Sequence, residues 1–345
     1  MNLVALVESE AHVCCRYRLA ALRGPLADAG VTLTFRTLPA SPLARMRVYR
    51  GLRSADAVVV QRKLLSRVEL TLLRRWTNRL VYDFDDAVWL RDSYSAKGFD
   101  NPGRARRFRR TVAAVDLVVA GNEYLAAEAR RFVAADRVAV VPTCVNPTAY
   151  PVADHRANGP VRLVWVGSSS TLRGLERFRP TLEAIGKAVP AARLKLICDR
   201  FLELDHLPVE PVRWDERTEA AEIATADVGI GWVPDDPWSR GKCGLKLLQY
   251  QAAGLPAVAN PVGVQGTIVR HAETGLLATT TDEWVAAVRR LAERPDLRRV
   301  YGAAGRKRVE TEYSVTTAGR LWADLLRGTA ARAGCSATFC ENSAP

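Results

Sequence analysis

Short apolar runs rich in valine and leucine recur along the chain, and between them the apolar positions repeat every three or four residues. In the first half the runs are Asn2–Val7, Val31–Thr37, Ala55–Gln61, Arg79–Phe84, Val115–Gly121 and Arg137–Val141. Helical patterns lie between them at Arg16–Gly30, Leu64–Thr77 and Asn122–Ala134. A second series opens with a strand at Arg162–Gly167 and a helix over Leu172–Val189. It continues with strands at Arg193–Cys198 and near Val212, a helix at Arg217–Thr225, and strands at Val228–Trp232 and Ala257–Asn260. Thr267–Leu277 follows, then helices at Thr281–Glu293 and Pro295–Glu312, and Ser314 is placed to cap a last helix through Leu326. Uninterrupted apolar strands alternating with amphipathic helices are what a parallel sheet covered on both faces requires. The expected class is therefore α/β, with doubly wound sheets.

The alternation is broken once, at Val141–Pro160, where four prolines stand among Asn, Asp and Gly. With 345 residues to bury, two domains are expected rather than one core. The composition places an N-terminal domain at 1–150, a hinge at 151–160, a second domain at 161–313, a final helix at 314–328 and a disordered tail at 329–345.

Composition changes the picture mainly through charge. Hydrophobic residues at 48% and charged residues at 25% are ordinary for a globular protein, but a formal charge of +13 favours an anionic partner. Nucleotide phosphates, an acidic glycan, anionic lipid and nucleic acid all answer that description. Seven cysteines without framework spacing and only four histidines argue against a disulfide scaffold or a zinc site. The N-terminal apolar run is too short for a signal peptide, and no stretch approaches eighteen apolar residues, so a soluble cytoplasmic protein, at most peripheral to a membrane, is expected.

Four stretches carry candidate chemistry. Trp238–Val262 combines Arg240, Lys242 and Lys246 with an apolar helix pattern and a Gly-Leu-Pro break, and a helix start of this kind suits phosphate. Asp83, Asp85 and Asp86 sit at a strand end beside Trp89, where they could bind a metal, act as base or accept hydrogen bonds from sugar hydroxyls. The same residues also suit plain turn and capping chemistry. The loop Glu8–Arg18 lacks the GxGxxG of dinucleotide binders. Arg104–Arg110 makes a cationic helix face around Phe108, either solvated or facing an anionic membrane or acidic acceptor, with no nucleic-acid recognition motif beside it.

The order of the second-half motifs adds a resemblance. Gly167–Gly174 reads GSSSTLRG, Gly241–Pro256 follows, and Val262–Gly266 leads to Thr274-Gly275-Leu276-Leu277, with Tyr313-Ser314-Val315 through Trp322 at the end. Together they resemble the retaining nucleotide-sugar glycosyltransferases of group 1, family 4-like, which have the GT-B fold. The resemblance runs from about residue 2 to 328 and implies two Rossmann-like domains facing each other across a cleft, with the C-terminal helix crossing back to the first domain.

It implies donor binding by Gly167, Ser168, Arg173, Lys242, Gly244, Leu245, Lys246, Gln249, Gly263 and Val264. Arg173 stands where the family has Lys, and Ser168 where it has Arg. Two family glutamates, for sugar and ribose hydroxyls, are replaced by Gly241 and Gln249. Asp235, Asp236 or Lys242 would then contact the donor sugar. The implied reaction is glycosyl transfer with retention and no required metal or other cofactor, the nucleotide-diphosphate sugar being the co-substrate. Arg173 and Lys246 would neutralise the leaving diphosphate, with Asp83, Asp85 and Asp86 facing the acceptor, a glycan, a lipid-linked intermediate or a small molecule. A different class of protein, a catalytically silent GT-B scaffold that binds glycan or nucleotide, is suggested by the missing glutamate at 241.

Overall fold

The computed structural model describes residues 1–155 and 159–328. The tail 329–345 and the middle of the hinge lie outside the described residues. Contacts group the chain into two units. Unit 1 comprises Met1–Phe84, Arg106–Val141 and the chain from Thr316, and unit 2 comprises Asp85–Ala105 and Pro142–Val315.

Unit 1 holds β1 (Asn2–Val7), β2 (Thr32–Thr37), β3 (Ala57–Gln61), β4 (Leu80–Phe84), β5 (Leu117–Ala120) and β6 (Val138–Val140). They form one parallel sheet in the order β2-β1-β3-β4-β5-β6. Its helices are α1 (Val13–Arg18), α2 (Arg23–Asp28), α3 (Pro42–Arg50), α4 (Arg67–Trp76), most of α5 (Pro102–Ala114) and α6 (Glu123–Arg130). Strands β3, β4 and β5 are buried along their whole length, which is why they read as unbroken apolar runs. The single helix expected over Arg16–Gly30 is instead α1, a short 3-10 turn and α2. Pro25 lacks an N–H for the preceding turn and its ring crowds the carbonyl four residues back, so the helix restarts.

Phe108 of α5 points inward, its ring 5.3 Å from Phe84 and 6.3 Å from Phe132, while Arg106, Arg107, Arg109 and Arg110 are exposed. The basic run is thus the outer face of a core helix.

Unit 2 holds β7 (Val161–Val166), β8 (Ala192–Cys198), β9 (Val209–Arg213), β10 (Val228–Gly231), β11 (Ala257–Ala259) and β12 (Gly275–Leu277). Its sheet is also parallel, in the order β12-β11-β10-β7-β8-β9. The helices are α7 (Ser169–Arg177), α8 (Arg179–Ala188), α9 (Glu219–Ala224), α10 (Leu245–Ala252), α11 (Gln265–Ile268), α12 (Thr281–Glu293) and α13 (Pro295–Glu312). The pattern over Leu172–Val189 splits into α7 and α8 because Pro180 opens a new helix. Between them Phe178 packs on Trp232 and Trp284, with ring centroids 5.3 and 4.7 Å away.

The last helix, α14 (Val315–Arg327), returns to unit 1. Arg79 donates to the carbonyls of Leu325 and Leu326, and a side chain at Gly319 would lie 2.4 Å from Pro25 Cβ. Among the described residues no helix is long and apolar enough to cross a membrane.

Candidate functional site

Both parallel sheets end their strands in loops that lead to helix N-termini, the arrangement in which α/β proteins place ligands. In unit 2 three such loops carry the candidate residues, after β7, β10 and β11.

The loop after β10 runs through a 3-10 turn at Ser239–Gly241 to α10. Gly244, which precedes α10, has φ +67°, and a Cβ there would lie 2.3 Å from Ile268 Cδ1. Only glycine satisfies both demands. The first turn of α10 contains no acidic residue and no side-chain cap, but it does contain Lys246. A cation in that position opposes the helix dipole. Lys246 Nζ lies 5.0 Å from the centroid of the Trp165 ring and, among the described residues, makes no hydrogen bond or ion pair. Burial, reinforced by the Lys242 ammonium, lowers its pKa from 10.5 to about 8, against smaller opposing effects of Cys198 and Glu219. Lys242 itself lies over Trp238, 5.8 Å from the ring centroid.

The loop after β7 is built around the same tryptophan. A Cβ on Gly167 would meet Trp165 Cη2 at 2.2 Å and Thr171 Oγ1 at 2.7 Å. Gly174, the second glycine of the motif, has its own reason: a Cβ there would lie 2.7 Å from the Tyr94 hydroxyl. Ser168 gives its amide to Thr171 Oγ1 at 3.1 Å, and Ser169 gives its amide to Asp199 Oδ1 at 2.6 Å. These first amides of α7 are therefore engaged within the protein. The bonds from Ser169 hold the Asp199 carboxyl below the usual range. Arg173 is exposed on α7.

The loop after β11 is fixed by amide side chains. Asn260 donates to the Val233 carbonyl at 2.7 Å and accepts from the Val233 amide at 3.1 Å, while Gln265 donates to Asn260 Oδ1 at 2.8 Å. Gly263, with φ +56°, would bring a Cβ to 2.8 Å from the Arg240 carbonyl, so this loop lies directly on the basic turn. Val264 follows at the start of α11.

Unit 2 also holds Asp85–Ala105, which follows β4 in the chain. Ser93 Oγ is 3.1 Å from both Asp236 Oδ1 and Ser239 Oγ, and the Arg177 guanidinium lies 4.8 Å from the Tyr94 ring centroid while donating to the Ser93 carbonyl. Cys243 Sγ donates to the Asp85 carbonyl at 3.3 Å. Asp85 and Asp86 are half-buried at the start of this segment.

Trp165, Gly167, Gly244, Lys246, Lys242 and Gly263 are thus brought together by the three loops. Asp83 is not among them. It lies in β4 of unit 1, fully buried, with Arg18 donating through Nε at 3.0 Å and Nη2 at 2.6 Å, and Gln61 at 3.3 Å. Trp89 is 7% exposed, so its ring is packed rather than open for stacking. Leu245 opens α10, and Gln249 is 2% exposed on the same helix, donating to the Tyr150 hydroxyl at 3.2 Å. Asp235 pairs with Arg240 at 2.7 Å, and Asp236 accepts from the Ser239 amide at 2.7 Å. Sequence reasoning missed Trp165, Asn260, Gln265, Asp199 and Tyr94. The aromatic two residues before Gly167 was the available signal.

Residues 237–308, which contain the basic turn, α10 and the loop after β11, match the family model for glycosyl transferases group 1. A comparison with curated protein sequences finds no match. Sucrose-phosphate synthase from Thermosynechococcus elongatus superposes with a TM-score of 0.73 at 18% identity, over 96% of this chain and 99% of that one. HepE from Anabaena, solved with UDP and glucose, gives 0.68 at 15% identity over 95% and 100%. WaaG, a glycosyltransferase involved in lipopolysaccharide biosynthesis, gives 0.66 at 14% identity over 94% and 100%. The fold is GT-B. At these identities the likeness to solved structures carries the fold, and the group 1 match is confined to residues 237–308 of unit 2.

Proposed function

We propose that this GT-B protein transfers a glycosyl group from a nucleoside-diphosphate sugar to a hydroxyl acceptor. The observation that carries the reading is Lys246. It is an unpaired, partly desolvated cation in the first turn of a helix without acidic residues, on the face of Trp165. An anion seated there would answer both the lysine and the helix dipole, and a diphosphate is the anion that a group 1 glycosyltransferase handles. HepE has been solved with UDP-glucose, which supports a uridine nucleotide as the first donor to test.

In the transfer, the bond from the anomeric carbon to the diphosphate oxygen breaks and a bond to the acceptor oxygen forms. The acceptor approaches on the face from which the diphosphate leaves and passes its proton to that diphosphate, so the anomeric configuration is retained, and the step calls on neither a metal nor another cofactor. Lys246 stabilises the charge that grows on the diphosphate, Lys242 adds to the local positive potential, and exposed Arg173 on α7 is available to a phosphate. The acceptor is a glycan, a lipid-linked intermediate or a small hydroxyl compound.

The test is transfer or hydrolysis with a panel of nucleotide sugars, read as release of nucleoside diphosphate. Release that disappears in Lys246→Ala supports the proposal, and absence of nucleotide binding by calorimetry at millimolar ligand would sink it. A binding-only scaffold is the second reading, favoured by Gly241 without a side chain and Gln249 held at Tyr150. It is distinguished by nucleotide binding without turnover across the whole panel.

A further inference from the structure

Unit 1 carries an open surface concavity of about 420 Å³ lined by Arg50, Arg53, Arg75 and Trp76. The last residues of α3 and α4 meet here: Arg50 closes α3, and Arg75 and Trp76 close α4. Trp76 is 9% exposed, and the Arg50 guanidinium lies 5.9 Å from its ring centroid. Among the described residues Arg50, Arg53 and Arg75 make no ion pair or hydrogen bond.

Their neighbours behave otherwise. Arg45 pairs with Glu69 at 2.7 Å and Arg74 with Asp116 at 2.5 Å. Cations at helix C-termini are favoured by the helix dipole, which accounts for one arginine on each helix. That effect does not explain Arg53, which lies beyond the end of α3 and lines the same concavity. A dianion in the concavity would meet three cations that no carboxylate among the described residues neutralises. Guanidinium forks suit phosphate oxygens, and the indole supplies an apolar wall for whatever carries the phosphate.

We infer that this concavity is an anion site for the phosphate or diphosphate group of a phosphorylated ligand, belonging to unit 1 and independent of the donor loops. Two sources present that chemistry, a free phosphorylated molecule and a lipid headgroup. Inorganic pyrophosphate probes the first by calorimetry. Flotation with phosphatidylcholine vesicles, with and without phosphatidic acid, probes the second. The variant is Arg50→Gln/Arg53→Gln/Arg75→Gln, whose three sites are exposed, with folding checked by circular dichroism. Pyrophosphate stoichiometry falls by one in the variant, or affinity drops by about tenfold or more, whatever the donor loops contribute. Flotation that requires both phosphatidic acid and the arginines assigns the site to a lipid headgroup. Donor hydrolysis is unchanged in the variant. Equal pyrophosphate binding and equal flotation by the two proteins, or no binding of either probe by the parent, overturns the inference.

Discussion

Because Lys246 is held near pH 8 in the free protein, diphosphate binding is expected to be linked to proton uptake. The ordinary lysine value is 10.5, so between pH 8 and 10.5 the folded, ligand-free protein binds fewer protons than the unfolded chain. In that window this group makes the free protein gain stability as pH rises. A bound diphosphate reverses the preference, because it favours the ammonium and raises its pKa again. The dissociation constant for UDP is therefore expected to rise by up to about tenfold per pH unit above pH 8, with uptake approaching ~1 proton per UDP. The groups that share this electrostatic environment are Lys242, Cys198 and Glu219, and burial raises the Cys198 thiol above its ordinary value. Replacing Lys246 by Gln removes one charge-assisted contact, about 1.5–3 kcal/mol, or about tenfold to a hundredfold in affinity at pH 7. Calorimetry in buffers of different ionisation enthalpy measures both quantities. An identical pH slope in Lys246→Gln would refute the assignment of the linkage to this lysine.

Three further outcomes follow from the geometry. Gly167→Ala forces a Cβ to within 2.2 Å of Trp165, at a cost of about 1–3 kcal/mol in thermal or urea unfolding, and weakens UDP binding by moving the ring beneath Lys246. Asp83→Asn strips the buried Arg18 guanidinium of its charge partner and lowers stability by about 3–5 kcal/mol in urea titration. Asp199→Ala frees the Ser169 amide at the N-terminus of α7 and removes a nearby negative charge, so UDP binding tightens; weaker binding would place that amide outside the donor site.

The two sheets were legible because strands buried on both faces leave a long apolar signature, as in β3, β4 and β8. Helix α3 was not legible. Its sequence, PLARMRVYR, buries only Tyr49, and its register is set by Arg45 and Tyr49 reaching Glu69 of α4, a contact that periodicity does not encode. The cluster of Asp83, Asp85 and Asp86 looked like one chemical group because its members are adjacent in the chain. In the fold Asp83 ends up inside unit 1 against Arg18, 65 residues earlier, while Asp85 begins the segment that packs in unit 2. Adjacency in sequence says little about adjacency in space at the end of a strand, where the chain leaves one sheet.

The motif glycines were visible, but their causes were not. Gly167 is required by the Trp165 ring and Gly174 by the hydroxyl of Tyr94, which arrives on a distant segment. The same distinction bears on the missing glutamate. Gly241 is buried at the end of a 3-10 turn, and the nearby carboxylates are already engaged, Asp235 with Arg240 and Asp236 with Ser239 and Ser93. Neither is an unengaged replacement carboxylate. The first turn of α10 places no acidic residue beside Lys246. If transfer occurs, phosphate charge rather than a carboxylate at 241 must carry the larger share of transition-state stabilisation. The donor sugar would then be held mainly through its diphosphate. That arrangement makes turnover more sensitive to loss of Lys246 than to a change in the sugar of the donor, and the ratio of those two effects across a donor panel tests it directly.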